Sequence, residues 1–171
     1  MSRHLPRIWV DADACPNAVR EILFRAAHRD RASVILVANQ SVRVPAARNL
    51  ESVQVSQRFD AAHQYIVDES EPGDTVITAD VPLAVKAVHK GVYALSPRGE
   101  LFTESNAGDR LATRDLMDEL RRGGVMTTGP ASFGSRDREA FANQFDKLIT
   151  KLRITQQARG LSGSDSGSGR R

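Results

Sequence analysis

The feature that most constrains the fold of this chain is the stretch over residues 7–16, where an apolar run ends abruptly in acids. Residues 8–10 (Ile-Trp-Val) predict a strand that is buried on both faces, and Asp11 and Asp13 follow it at once. Because residues i and i+2 of an extended chain point the same way, we expect the two carboxylates to share a face. Like charges that close repel each other unless a cation lies between them, so the stretch favours a divalent metal ion.

The rest of the chain alternates predicted strands with predicted helices. Strands are predicted at residues 8–10, 33–38, 53–55, 75–78 and 92–95, and helices after Pro16 and over residues 61–69, 81–90, 109–122 and 141–152. This order predicts the α/β class, with a mostly parallel central sheet of about five strands, helices on both faces and a C-terminal helix packed on the body. We expect one domain over residues 1–155 and, because Gly and Ser dominate the end of the chain, a disordered tail over residues 156–171.

Composition and charge limit the cellular setting. Cys15 is the only cysteine, so no internal disulfide is possible and the chain suits a reducing compartment. We expect a cytoplasmic protein without a membrane segment, since the first residues lack an apolar signal core and no apolar run approaches the roughly 20 residues that span a bilayer. The net charge of +3 is only a mild lean towards anionic partners. Most of the six Phe, two Tyr and one Trp fall on apolar faces, so no stacking platform for single-stranded nucleic acid is predicted.

Acidic residues recur where predicted parallel strands end. Asp11, Asp13 and Asp80 each follow such a strand, and open parallel sheets bind ligands outside the carboxyl ends of their strands. Asp60 opens a helix that should enter from the same rim, and His63 lies three residues along, on the same helical face. Carboxylate oxygens are the ligands that Mg²⁺ and Mn²⁺ prefer, so these five residues are the candidate metal ligands.

Helix capping is the alternative role for several of these acids. Asp60 and Asp80 stand where N-caps belong, and Asp13 could cap the first helix in the same way. Asp11 is the hardest to explain by capping, because an acid directly after a buried strand needs a partner. A lone helical histidine such as His63 is more often a solvated neighbour than a ligand.

Three further residues are the leading candidates for binding an anionic substrate, and Arg48, Arg58, Lys86 and Arg110 are additional basic candidates. Asn39 and Arg43 follow the second predicted strand and so belong to the acidic rim, and Arg114 lies on a later helix. Cys15 invites comparison with cysteine phosphatases, but four residues separate it from Arg20 where that phosphate loop needs five. We therefore expect Cys15 to be a small residue of the core or of the helix start.

Five segments of the sequence together resemble the YaiI/YqxD family. They are residues 9–16 (Trp-Val-Asp-Ala-Asp-Ala-Cys-Pro), 37–40 (Val-Ala-Asn-Gln), 59–62 (Phe-Asp-Ala-Ala), 73–80 (Gly-Asp-Thr-Val-Ile-Thr-Ala-Asp) and 136–138 (Arg-Asp-Arg). The resemblance runs to about residue 155. It implies a PIN-like domain, a group that includes metal-dependent ribonucleases, and hence a parallel sheet with an acidic metal-binding rim.

One position departs from the pattern that the resemblance implies. Members usually carry an acid where this chain has His63, which gives an Asp-x-x-Asp pair with Asp60. An imidazole in place of a carboxylate should weaken Mg²⁺ binding and favour Mn²⁺ or a softer ion. It should also make the site sensitive to pH in the range where histidine titrates.

The leading functional hypothesis is a metal-dependent phosphodiesterase, with RNA or another phosphodiester as substrate. Asp11, Asp13, Asp60 and Asp80 would hold one or two Mg²⁺ or Mn²⁺ ions at the catalytic centre. One alternative is an aspartate-based phosphatase, in which Asp11 is the nucleophile and Asp13 the general acid; Cys15 stands where that class usually has Thr or Val. The other alternative is a non-catalytic RNA-binding or regulatory module whose acids are structural.

Overall fold

The computed structural model describes residues 4–129 and 131–162. Its strands are β1 (Arg7–Asp11), β2 (Ser33–Ala38), β3 (Leu50–Gln54), β4 (Thr75–Ile77), β5 (Tyr93–Leu95) and β6 (Leu101–Phe102). Its helices are α1 (Asn17–His28), α2 (Ala61–Glu69), α3 (Val81–His89), α4 (Glu104–Arg122) and α5 (Ser135–Ser162), and a short 3-10 helix (Ala12–Ala14) follows β1. The predicted α/β class and C-terminal helix are confirmed.

The strands form a single sheet in the order β3-β2-β1-β4-β5-β6, so the first strand of the chain lies at the centre. Every pairing is parallel except that of β5 with β6. The prediction of a mostly parallel sheet is confirmed, but the sheet has six strands where about five were expected. The additional strand, β6, is two residues long, which is too short for a hydrophobic period to reveal.

Helices cover both faces of the sheet, as predicted. Ile8 and Val10 of β1 face the cluster that contains residues of α1 and α5, whereas Trp9 faces the cluster that contains residues of α2 and α3. Successive side chains of a strand point to opposite faces, so a strand that is covered on both sides must be apolar at every position. This explains why residues 8–10 carry no polar side chain.

Two helices differ in extent from the prediction. α4 begins at Glu104, because Thr103 Oγ1 accepts from the backbone N of Asn106 (3.2 Å) and Asn106 Oδ1 accepts from the backbone N of Thr103 (2.8 Å). α5 continues to Ser162, so residues 156–162, for which the sequence predicted a disordered tail, belong to a helix. Residues 163–171 of that predicted tail lie outside the described residues.

The path of the chain creates a crevice beside β1. From β1 the chain adds β2 and β3 on one side, then crosses to the other side to add β4 and β5. The strand order therefore reverses between the carboxyl ends of β1 and β4, the position where open parallel sheets bind ligands. In the described ranges, no helix combines the length and the apolar character needed to cross a membrane.

Candidate active site

A cavity of about 500 Å³ opens at the carboxyl ends of β1 and β4. Its lining includes the five residues that the sequence analysis named as candidate metal ligands: Asp11, Asp13, Asp60, His63 and Asp80. Four separate segments deliver them, namely the end of β1, the 3-10 helix, the start of α2 and the residue before α3. The fold thus gathers four carboxylates and one imidazole around a single space.

Asp11 is the most buried of these acids, with only 5% of its surface exposed. Its Oδ2 atom accepts a hydrogen bond from the Thr78 hydroxyl (3.0 Å) and lies 3.0 Å from His63 Nε2. A buried carboxylate is destabilising unless it is hydrogen-bonded or paired, and these two contacts supply both kinds of partner. Thr78 Oγ1 in turn accepts from the backbone N of Asp80 (3.0 Å), so one hydroxyl links the ends of β1 and β4.

His63 lies among three carboxylates. Its Nε2 is 3.0 Å from Asp11 Oδ2, and its Nδ1 is 3.0 Å from Asp60 Oδ1 and 4.0 Å from Asp80 Oδ2. Mainly because of the hydrogen bond to Asp11, the pKa of His63 is raised from 6.5 to about 9; burial of the ring lowers the pKa, and the charges of Asp11, Asp80 and Asp60 raise it. The protonated ring therefore provides the positive charge that this acidic cavity needs.

We predict that the protein, freed of divalent ions with EDTA, loses stability as the pH rises through about 9. The pKa of His63 is higher in the folded state, so the stabilisation is complete below about pH 6.5 and is lost as the folded-state group deprotonates near pH 9. Allowing for solvent screening of a partly exposed ring, we expect a loss of about 2 kcal/mol. Urea unfolding measured across this range should show it, and His63→Gln should remove it. An equally steep loss in the variant would contradict the assignment.

The capping alternative holds for Asp80 and not for Asp60. Asp80 Oδ1 accepts from the backbone N of Leu83 (2.9 Å) at the start of α3, which leaves Oδ2 facing the cavity. Asp60 precedes α2 but its side chain makes no capping bond; the residue adopts a left-handed conformation (φ 69°) and its carboxylate contacts His63 instead. Asp80 can therefore cap a helix and serve the cavity at once.

Asp13 reaches the cavity by a different route from the one predicted. The chain leaves the extended conformation at Ala12 and forms the 3-10 helix, so strand alternation does not place Asp13 beside Asp11. Asp13 Oδ2 instead accepts from the backbone N of Asn39 (3.1 Å) at the end of β2. Nor does Asp13 cap α1, which begins at Asn17 after Pro16.

The donor chemistry of the cavity suits a hard divalent ion, but the arrangement of the side chains is not that of a formed metal site. Among residues 4–129 and 131–162, no three His, Cys, Asp or Glu side chains are positioned to share one ion. The His63 ring lies between Asp11 and Asp60, and in its protonated form it donates one hydrogen bond to each of these carboxylates. An ion that used both acids would have to replace the proton-bearing ring in this position.

The three predicted substrate-binding residues have different surroundings. Asn39 lines the cavity, and its Nδ2 donates to the backbone oxygen of Ser56 (2.7 Å). Arg43 is exposed but does not line the cavity. Arg114 lies on α4, where it pairs with Asp115 (3.3 Å) and Asp118 (3.7 Å). Its helix directs it to these acids and not to the cavity, so the structure does not support a role for Arg114 at this site.

Cys15 belongs to the core, as the sequence analysis expected. It is buried with residues of α1, and burial raises the pKa of its thiol to about 12 although the nearby Arg20 guanidinium opposes the rise.

We predict that iodoacetamide at about pH 8 modifies Cys15 of the folded protein at least 100-fold more slowly than Cys15 of the urea-unfolded chain, because the thiolate is the reactive form. Mass spectrometry can follow this single thiol. Equal rates in the two states would place Cys15 at an accessible surface.

Comparison with known proteins identifies the family. A family model described as "Uncharacterized BCR, YaiI/YqxD family" matches residues 9–151, which include every candidate ligand. The chain belongs to the YaiI/YqxD family.

Relatives of this YaiI/YqxD protein match over nearly their whole length. A UPF0178 protein of Alkalilimnicola ehrlichii is 56% identical over 146 residues, covering 85% of this chain and 99% of the relative. A UPF0178 protein of Thioalkalivibrio sulfidiphilus is 54% identical over 145 residues with the same coverage. One from Bordetella parapertussis is 53% identical over 157 residues, covering 92% of this chain and 98% of the relative. No solved structure matches the chain.

Sequence reasoning gave no role to two residues of the site in this YaiI/YqxD protein, Thr78 and Phe59, whereas Arg58 was among the basic candidates for an anionic substrate. Thr78 holds the Asp11 carboxylate, and Arg58 and Phe59 line the mouth of the cavity. The sequence could have indicated Thr78, because it places a hydroxyl side chain at the end of a predicted strand, two residues before Asp80. Phe59 belongs to the loop before α2, and no periodic pattern marks such a residue.

Proposed function

We propose that this YaiI/YqxD protein is a divalent-metal-dependent phosphodiesterase that acts on RNA. The observation that carries the proposal is the convergence of Asp11, Asp13, Asp60 and Asp80 on one cavity at the point where the strand order reverses. Four acids around one space repel each other unless cations join them. Membership of the YaiI/YqxD family, which implies a PIN-like domain, supports RNA as the substrate.

Each residue of the cavity has a defined part in this proposal. Asp11, Asp60 and Asp80 would hold the ion, with Asp13 beside them on the other wall. Mg²⁺ or Mn²⁺, when bound, supplies an activated water and neutralises charge on the phosphodiester. Thr78 orients the Asp11 carboxylate through its hydroxyl (3.0 Å). The protonated His63 ring donates to both Asp11 and Asp60 and so would compete with a metal ion for these carboxylates; acid should therefore oppose activity.

The test is cleavage of a labelled single-stranded RNA by the full chain. We expect no cleavage in EDTA and restored cleavage when Mn²⁺ is added in excess, with Mg²⁺ less effective because an imidazole shares the site with the acids. Cleavage that persists in EDTA would overturn the proposal, as would a complete absence of cleavage with either metal.

A non-catalytic RNA-binding module is the second candidate function. The contact that favours it is the His63 ring, which joins Asp11 and Asp60 by two 3.0 Å contacts and so partners both carboxylates with a side chain of the protein itself. In that case RNA should bind equally well with and without EDTA, and it should remain intact in Mn²⁺. The same cleavage assay, combined with a binding measurement, therefore separates the two functions.

A further inference from the structure

One aromatic side chain is placed unlike all the others in the protein. Phe59 is 99% exposed, whereas the other five Phe, the two Tyr and the Trp are buried or half-buried, and all nine lie in the described ranges. Phe59 lines the mouth of the acidic cavity, next to Arg58. An apolar ring that gains nothing from burial in the fold is available to contact a ligand at this mouth.

The local backbone holds Phe59 outside the core. The next residue, Asp60, adopts a left-handed conformation (φ 69°) that non-glycine residues rarely occupy. Its carboxylate is fixed by the 3.0 Å contact with His63, and α2 begins directly after it. The contact that organises the acidic cavity therefore also sets the direction of the loop that carries Phe59.

We infer that Phe59 stacks against an unpaired nucleobase of a single-stranded nucleic acid at the mouth of the acidic cavity, with Arg58 contacting the backbone. This inference rests on the proposed function and names the substrate class of the same site. Stacking on an aromatic ring requires a base whose face is free, which a single strand offers and a duplex does not.

The surroundings of Phe59 favour a base over an apolar partner. Its sequence neighbours in the cavity lining are the polar residues Gln57, Arg58 and Asp60, and within the described part of the chain no other large apolar side chain belongs to that lining. Among the residues whose side chains the structure describes, the other exposed large apolar ones lie on α4, in the segment after it and on α5: Leu116, Met117, Val125, Met126 and Ile154. A protein or membrane surface would need a wider apolar area than one ring, whereas a single flat base matches it.

The test is binding of a fluorescein-labelled oligouridine of about 12 nucleotides, followed by anisotropy in EDTA so that binding is separated from cleavage. We expect Phe59→Ala and Phe59→Leu to weaken binding by about tenfold or more, and Phe59→Trp to retain it. Leucine keeps the apolar character without the ring. Met126→Ala removes an equally exposed apolar side chain (97%) away from the cavity lining and should leave binding unchanged.

Three results would overturn the inference: wild-type affinity in Phe59→Ala, an equal loss in Met126→Ala, or no binding of the probe by the wild type. A loss of the same size with a duplex of the same length would also overturn it. Because EDTA prevents metal-dependent cleavage, this assay tests base stacking separately from the proposed catalytic activity. If Phe59→Ala weakens binding but the wild type shows no Mn²⁺-dependent cleavage, the phosphodiesterase proposal is refuted and the base-stacking site is kept. If the wild type cleaves RNA but Phe59→Ala binds as tightly as the wild type, the base-stacking site is refuted and the phosphodiesterase proposal is kept.

Discussion

Replacing Asp11 with asparagine is expected to reduce Mn²⁺-dependent RNA cleavage at least about 100-fold. Loss of an outer-shell partner of a metal typically costs 10- to 100-fold in affinity or activity, and Asp11 is proposed as a direct ligand. Asparagine has nearly the same shape and keeps an oxygen for the Thr78 hydroxyl, so the change removes chiefly the negative charge. The loss should appear in single-turnover cleavage of labelled RNA.

The matched control is Asp68→Asn, which makes the same chemical change on α2. Asp68 is exposed, its Oδ1 accepts from Gln64 (2.8 Å), and it does not line the cavity. We expect this variant to cleave at the wild-type rate. Equal rates for wild type and Asp11→Asn would remove Asp11 from the mechanism, and a similar loss in both variants would indicate a general effect of charge.

Replacing Asp74 with alanine is expected to lower the free energy of unfolding by about 2–4 kcal/mol. Asp74 is buried at the amino end of β4. Its Oδ2 accepts from Arg7 Nη2 (2.9 Å), Trp9 Nε1 (3.0 Å) and the backbone N of Glu71 (2.9 Å). Alanine leaves all three donors without this acceptor, and the Trp9 donor lies in the core, where water cannot replace it.

Urea unfolding of the wild type and of Asp74→Ala measures this loss in the free energy of unfolding. Asp68→Ala serves as the control, because an exposed carboxylate with one hydrogen bond on its own helix should change stability by no more than about 0.5 kcal/mol. A loss below about 1 kcal/mol in Asp74→Ala would show that its three contacts do not stabilise β1 and β4. Asp74 lies at the opposite end of β4 from the cavity, so RNA affinity of the folded variant should be unchanged.

The architecture was predictable because the sequence repeats its hydrophobic pattern locally. Residues 8–10 and 33–38 are continuous apolar runs rich in β-branched residues, as strands covered on both faces require, and α1 has one apolar stripe. The two-residue β6 and the late end of α5 were not predictable in this way. A strand that short has no period, and the end of α5 runs into Gly160 and Ser162, which open a Gly- and Ser-rich stretch and disfavour a helix although residues 156–159 favour one.

At the acidic rim, too, some features could be predicted from the sequence and others could not. Asp11 and Asp80 follow apolar strands, and parallel strands of one sheet end at a common edge, so the sequence alone could place both acids at the cavity. It could not choose the partners of Asp11. Thr78 and His63 are far from it along the chain, and they reach it only because β4 pairs with β1 and α2 packs beside them.

The sequence by itself determined the class of the fold, the family and the edge of the sheet where acids gather, because these depend on local periodicity and on short motifs. Only the tertiary structure decided that His63 bridges Asp11 and Asp60, that Arg114 turns to acids of its own helix, and that Phe59 faces solvent. Such details depend on strand order, on backbone conformations such as the left-handed Asp60, and on side-chain packing between distant segments.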